Sequence, residues 1–553
     1  MKKIITLLFV LSVLLACHEA QAQKKKAKKN GDKAQVIDED QTRVQFQLET
    51  EPEQLQVVGL DTNGVLLVFT LAKDENIYIN KYDRDLNKLY NTTLKIPDNS
   101  KVWSIKEYKK NIYLLVIDKN SSSPMFTLNY QVIEFDHISK KSKQIDGVFE
   151  KKRYIQELVP CDDGAYITTL DCLTPGQLST RITLNCCAVG IPSLFGYTKF
   201  PYKPYLVSLN FKSKKIDEQL LEYPNQSAIM AADLESEKQE LNLSLKNKVK
   251  KNYNKIYVVN FKLSPNGKAS KVKETEIDLP IGKDFYSAKI NTLNVEEKLV
   301  FGTYGPETKY LTENGSMVAN GLYLSKIQNG KCAFTTVVRF DEMETYRIKS
   351  KKKKNTTAAA TKEKAFRQTL LFHDIIEDDD QFILTAETYY PTYKTEYYYN
   401  ASTKRTESRQ VFDGYVYDKL LILGFSKEGK KEWEQSIELP YYRTFSPNAL
   451  LVRNEIVEGD LYFTLAHKDG TIKFIKLTSD NTISQLTSEE EIENIEGEEV
   501  LERNFINGGV LYDNNYIVYG WEKIVKEKDG KKNKKSKDAK TVMFINKIAV
   551  YPE

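Results

Sequence analysis

The sequence predicts an all-β protein assembled from about eight copies of one four-stranded antiparallel unit. Three observations predict it: strand-length apolar runs recur along the whole chain, tight turn signals separate them, and helical periodicity is absent. Residues 366–440 show the unit almost complete. The run RQTLLFHDII (367–376) is closed by the acidic turn Glu377-Asp378-Asp379-Asp380, and FILTAETYY (382–390) follows. After a polar, Tyr-rich insertion, YVYDKLLILGFS (415–426) turns through Lys427-Glu428-Gly429-Lys430 into EWEQSIELP (432–440).

Taken in order, the chain opens with a lone alternating strand at 43–49 (RVQFQLE). The first unit spans 54–97, with strands at 55–60, 65–72, 76–82 and 88–96. The second, 101–149, has 112–118 and 128–136 as its inner pair, and the third, 154–224, has its third strand at 205–210. A more divergent fourth, 229–280, contains the clear strand 256–263 and the turn Ser264-Pro265-Asn266-Gly267. Residues 288–341, 367–440 and 449–487 continue the series. The last unit supplies only three strands, 500–513, 516–524 and 541–551.

The lone strand at 43–49 has the length and pattern to fill the missing place. Open sheet edges invite pairing with other chains, and closing a ring of units with a strand from the opposite terminus removes them. The expected fold is therefore a single large β-propeller of about eight four-stranded blades, closed by an N-terminal strand that completes the last blade. The alternative is seven, if the fourth unit is not a full blade. No linker divides the repeats, which argues against two smaller rings.

The first residues read as an export signal: Lys2 and Lys3, an apolar run at 4–16, and an A-x-A site at Ala20-Gln21-Ala22. A rival reading cuts before Cys17, because Leu14-Leu15-Ala16-Cys17 resembles a bacterial lipobox that would make Cys17 a lipid anchor. The expected layout is a signal peptide at 1–22, a Lys-rich disordered leader at 23–42, and the propeller at 43–553. Localisation follows: exported, to the periplasm or cell surface, with outer-membrane association. Net charge is only +5, from 81 basic against 76 acidic side chains, far less lopsided than a nucleic-acid binder. The lysine runs at 351–354 and 531–535 lack interleaved aromatics and read as solvated loops.

In a four-stranded blade, links from the second to the third strand lie on the same face as links from one blade to the next. The long insertions at 121–125, 173–203, 305–320, 391–413 and 526–540 all fall between second and third strands, and 344–365 falls between blades. Every large elaboration is thus expected on one face, the usual place for binding on a rigid scaffold. Tyr389, Tyr390, Tyr393, Tyr397, Tyr398 and Tyr399 cluster around one insertion, where they suit either packing or ligand contact. Cys161 and Cys172 end consecutive strands at opposite faces, too far apart to bond. Cys172, at the root of an insertion holding Cys186 and Cys187, is expected to form a disulfide with one of them, the other reading being free thiols.

Catalytic signals are thin. His137, His373 and His467 lie in different units, and no G-x-S-x-G, H-E-x-x-H or Gly-rich phosphate loop occurs. Asp378-Asp379-Asp380 lacks the alternating ligands of an EF-hand and reads as a solvated turn. No metal or cofactor is expected, while carboxylates assembled from distant blades stay open.

The units resemble the β-propeller superfamily over nearly the whole mature chain, without a WD, kelch or NHL signature. The leader with its A-Q-A-Q site and the Tyr/Asn/Lys-rich strands resemble exported repeat proteins of Bacteroidota, most of all in DGYVYDKLLILGFSKEGKKEWEQSIELP (413–440). That resemblance implies an envelope location and carries no active-site residues across. The expected function is a non-enzymatic envelope binding or scaffold protein that engages a protein partner, possible in an outer-membrane complex, through its loop-bearing face. A glycan-binding propeller or divergent carbohydrate-active enzyme is the alternative. No nucleic acid is expected, and membrane contact only through a lipid anchor or the partner.

Overall fold

Short strands joined by short turns have few partners within reach other than their sequence neighbours, so consecutive strands pair antiparallel. The computed structural model describes residues 34–549, apart from 119–125, 172–202, 307–318, 346–368, 527–538 and turns of five residues or fewer. Strands β1 (Ala34–Val36) and β2 (Gln41–Leu48) precede a first meander of β3 (Pro52–Gly59), β4 (Val65–Leu71), β5 (Asn76–Tyr82) and β6 (Lys88–Lys95). One seven-stranded sheet follows: β7 (Ser100–Tyr108), β8 (Asn111–Asp118), β9 (Phe126–Asp136), β10 (Lys141–Cys161), β11 (Gly164–Asp171), β12 (Lys203–Asn210) and β13 (Lys215–Leu220). The next meander is β14 (Ser227–Glu235), β15 (Glu240–Val249), β16 (Asn252–Leu263) and β17 (Ala269–Asp278).

A fifth group holds β18 (Lys283–Phe285), β19 (Lys289–Thr292), β20 (Glu297–Pro306), β21 (Gly321–Gln328) and β22 (Lys331–Arg339). A sixth holds β23 (Thr369–Phe372), β24 (Ile376–Glu377), β25 (Gln381–Asn400), β26 (Arg405–Ser426), β27 (Lys431–Glu438) and β28 (Arg443–Thr444). Then come β29 (Val452–Val457), β30 (Asp460–Ala466), β31 (Thr471–Leu477) and β32 (Ile483–Glu491). The last strands are β33 (Glu498–Phe505), β34 (Leu511–Tyr512), β35 (Asn515–Lys526) and β36 (Lys540–Ala549). Among the described residues the only helical turn is a 3-10 turn at Phe340–Glu342.

The fourth unit, read as divergent, is a four-stranded meander as expected. Three features depart from the sequence reading. The second and third units are not separate sheets, because β10 runs unbroken for 21 residues as the last strand of one and the first of the next. Ala34–Val36, assigned to a disordered leader, pairs with Thr42–Val44 as an edge strand. The first strand expected at 367–376 is broken into β23 and β24, both paired with β25.

That break belongs to a pattern. The first strand slips register between Pro52 and Gln54, Val102 and Ser104, Ile155 and Glu157, Ile229 and Ala231, and Val500 and Glu502. In the fifth and sixth groups the first strand is split instead, into β18 with β19 and β23 with β24. An added residue bends a strand and raises its twist, so each of these first strands bends at its slip or break.

The strands compose two compact bodies: described residues up to Ile96 with Arg453–Leu477 and Ser484 onward, and Pro97–Val452 with Thr478–Ile483. In the larger body, cores form between the faces of consecutive meanders. Val159 and Tyr166 pack with Leu241 and Leu243, Ile256 and Val258 with Phe285 and Val300, and Leu299 and Phe301 with Leu384 and Leu421. Inner strands such as β4 (VLLVFTL) are covered on both faces and so read as continuous apolar runs, whereas β6 on the outside alternates. Gly64, at φ +86°, leads into β4 against the Tyr82 carbonyl, where a Cβ would collide with backbone.

In the smaller body the first and last strands meet. β2 pairs with β36 over eight residues, from Gln41 opposite Ile548 to Leu48 opposite Thr541, and fills the fourth place beside β33, β35 and β36. Its apolar side chains Val44 and Leu48 join Leu55, Val65 and Leu67 of the first meander in one core. On its other face Arg43, 1% exposed, lies over the Phe544 ring (4.6 Å) and donates from Nη2 to Glu522 Oε2 at 2.6 Å. The second Glu522 oxygen accepts from Arg503 Nε at 2.6 Å, and Gln45 Nε2 donates to Glu498 at 2.8 Å. Burial pulls the Arg43 guanidinium below its ordinary value, and Glu522 opposes that pull.

Removing one partner from such a cluster strands the others in a dry site. Glu522→Gln is expected to lower unfolding free energy by about 3–5 kcal/mol in urea denaturation. A loss under about 1 kcal/mol would show that the cluster does not secure β2.

Candidate functional site

The expected 391–413 insertion is not a loop. β25 and β26 run past the other strands of their sheet as a continuous antiparallel arm, in register from Tyr393 opposite Phe412 to Asn400 opposite Arg405. Period-2 alternation sorts its side chains onto two faces. One carries Lys394, Glu396 and Tyr398 opposite Val411, Arg409 and Glu407. Its charges are matched internally: Arg409 to Glu396 at 3.1 Å, Lys394 to Glu396 at 3.5 Å, and the Tyr398 hydroxyl to Glu407 at 2.9 Å. Arg409 holds the Glu396 carboxyl below its usual value, and Glu407 raises the Tyr398 phenol.

The other face carries Tyr393, Thr395, Tyr397 and Tyr399, with Ser408 opposite Tyr397 and Thr406 opposite Tyr399. These positions bear no charge. Tyr397 is 74% exposed and Tyr399 66%, with Tyr393 and Tyr398 less so. The six tyrosines therefore divide. Tyr389 is buried, edge-on to Tyr415, and burial pushes its phenol far up; Tyr390 is half-buried; the remaining four lie on the arm.

A second polar feature follows the curved first strands of the larger body, where β10 lies beside β7 and β14, and β14 beside β19. Lys106 Nζ on β7 donates to Glu157 Oε1 on β10 at 3.3 Å. Gln156 on β10, the residue set apart by the bulge, donates to the Ile229 carbonyl on β14. Asp233 on β14 accepts the Thr292 amide of β19 at 3.0 Å. Lys289 on β19 reaches Asp374, just after β23, at 2.8 Å and the Phe372 carbonyl at 3.3 Å. A polar belt thus links five first strands in turn.

Lys106, Glu157 and Lys289 are each about a third to a half exposed. Even so, burial is the largest influence on the Glu157 carboxyl and lifts it above the ordinary range, aided by Asp233 and opposed by Lys106 and Lys289. Sequence reading missed the belt because its residues stand far apart in ordinary strand sequence.

The remaining sequence candidates resolve plainly. His373, buried, bonds Glu387 at 3.1 Å, and Glu387 also accepts the Leu451 and Val452 amides, so this pair anchors the start of β29. Cys161 is buried with its thiol pushed up to about 11, and Cys332 is an exposed free thiol. Cys17, Cys172, Cys186, Cys187, His467 and both lysine runs lie outside the described residues. Among the described residues no three His, Cys, Asp or Glu side chains are grouped to hold a metal.

No family model and no curated protein matches the chain. Among solved structures, it is similar to the β-propeller domain of Nup133 from Vanderwaltozyma polyspora, with TM-score 0.35 and 13% identity over 82% of this chain and 99% of that one. It is also similar to the polysaccharide lyase Uly1, with TM-score 0.34 and 11% identity over 81% and 90%. A prolyl endopeptidase gives TM-score 0.36 and 9% identity over 94% of this chain and 57% of the endopeptidase. At these scores no residue role passes from those proteins to this one.

Exposed and buried tyrosines should behave oppositely. Tyr397→Ser with Tyr399→Ser is expected to shift unfolding free energy by less than about 0.5 kcal/mol, whereas Tyr389→Ala costs about 3–5 kcal/mol. Equal losses in chemical denaturation would mean that the arm face is packed in solution.

Proposed function

We propose that the chain is a non-enzymatic binding or scaffold protein of the cell envelope that engages a protein partner through its arm. The observation that carries this reading is the arm's uncharged tyrosine face. Tyrosine offers a large, stiff contact surface with a polar tip, and it is among the residues that dominate protein interfaces. The opposite face, with its charges already matched, stays soluble without a partner. A two-stranded arm also offers outer backbone edges to which a partner strand can add.

The scaffold in this reading is one ring of eight blades, the long β10 serving two of them and β2 completing the last. Face-to-face cores between consecutive meanders and the curved first strands support it, since stacked, bent meanders turn around an axis. The arm and the other long insertions then leave from second-to-third-strand links on a common side. Export through the N-terminal signal, with or without acylation of Cys17, would place this side toward envelope partners.

Capture from solubilised envelope membranes tests the reading. The wild-type chain is expected to retain a specific protein, and Tyr393→Ser, Tyr397→Ser and Tyr399→Ser together are expected to reduce its recovery at least about tenfold, as hot-spot losses do. Undiminished recovery by the triple variant would overturn the reading.

A further inference from the structure

Among the described residues of the larger body, the first-strand belt combines solvent access, mixed charge and side-chain capacity left over after its internal bonds. Lys106 brings three donors and spends one on Glu157. Glu157 uses Oε1 there, and among the described residues its Oε2 has no bonding partner. Asp233 receives the Thr292 amide on Oδ2, which leaves Oδ1 over. Lys289 reaches Asp374 and the Phe372 carbonyl with a third donor to spare. The bulge between Ile155 and Glu157 and the slip between Ile229 and Ala231 set the two carboxylates on adjacent curved strands. Register slips of this kind re-aim side chains beside binding sites.

Charge decides what such a set can hold. Two lysines stand among three carboxylates, Glu157, Asp233 and the largely exposed Asp374 that Lys289 already pairs with, so an anionic ligand meets like charge at the carboxylates and a cation meets it at Lys106 and Lys289. Like charges this close cost either ligand part of what the opposite charges give it. A hydroxyl pays neither penalty, because it donates to a carboxylate and accepts from an ammonium at once. Neighbouring hydroxyls on one rigid ring can meet both the donors and the acceptors of the belt.

We propose that Lys106, Glu157, Asp233 and Lys289 form a binding site for an uncharged polyhydroxylated ligand, a neutral saccharide. The site is separate from the tyrosine arm and does not depend on the arm having a protein partner. It binds without bond cleavage, holding one or two sugar rings by hydrogen bonds exchanged for those of water. Affinity is therefore modest, since each exchanged bond contributes little net free energy.

The test is saturation-transfer NMR on the full mature chain with four probes: cellotriose, maltotriose, laminaritriose and N-acetylchitotriose. At least one probe is expected to give transfer, to be lost in both Glu157→Leu and Asp233→Leu, and to persist in the Tyr393/Tyr397/Tyr399→Ser variant. A Lys427→Ala control, away from the belt, should also retain it. Circular dichroism identifies any variant that fails to fold, and Lys106→Met then serves as a further belt variant with the same expected loss. Transfer from none of the probes overturns the proposal. So does transfer that survives the belt variants or vanishes only with the arm tyrosines.

Discussion

Every β-sheet leaves two rows of backbone donors and acceptors at its edges, and this chain brings its first complete strand back to its last. β2 lies along β36 for eight residues, and Arg43 spans the ladder to Glu522 on β35. The guanidinium passes over Phe544, opposite which β35 carries Gly520. A long cation crossing a neighbouring strand is costly unless its charge is met, and here Glu522 meets both Arg43 and Arg503. The apolar face of the same strand joins the first meander's core. The outer edge of β36, a buried charge and core packing are thus met by one eight-residue segment.

This arrangement frees the rest of the chain for elaboration. Covered inner strands hold each sheet, so length can be added beyond the sheet's margin without loss of core. The arm is such an addition: its base holds Tyr389, Tyr415 and Tyr417 in contact, and beyond them the same two strands continue into solvent. A ladder with ion pairs on one face has a reason to stay ordered without packing. Its other face presents the largely exposed rings of Tyr397 and Tyr399.

Much of the fold was legible in the sequence because its inner strands are continuous apolar runs and its turns are marked. The strands at 65–72 and 76–82 differ from the observed β4 and β5 by at most one residue. The use of 43–49 beside the final strand was also readable, from an orphan at one end and a vacancy at the other. The unbroken β10 was not, because Glu150, Lys151 and Lys152 look like a turn and yet continue as exposed strand. Nor was the arm's regularity: Thr, Tyr, Arg and Gln suit both a polar loop and a solvent-exposed strand, and only pairing separates them. The belt was least legible, since Lys106, Glu157, Asp233 and Lys289 become neighbours through the stacking of sheets.

The central claim is that β2 is an interior part of the folded molecule, bound as tightly as the C-terminal strand it pairs with. Hydrogen exchange of the mature chain, followed by mass spectrometry, measures this directly. The account predicts that the amides β2 donates to β36 exchange only with those β36 donates in return, at the free energy of global unfolding. Exchange of the N-terminal segment well before its partner strand would show a fraying edge and contradict it.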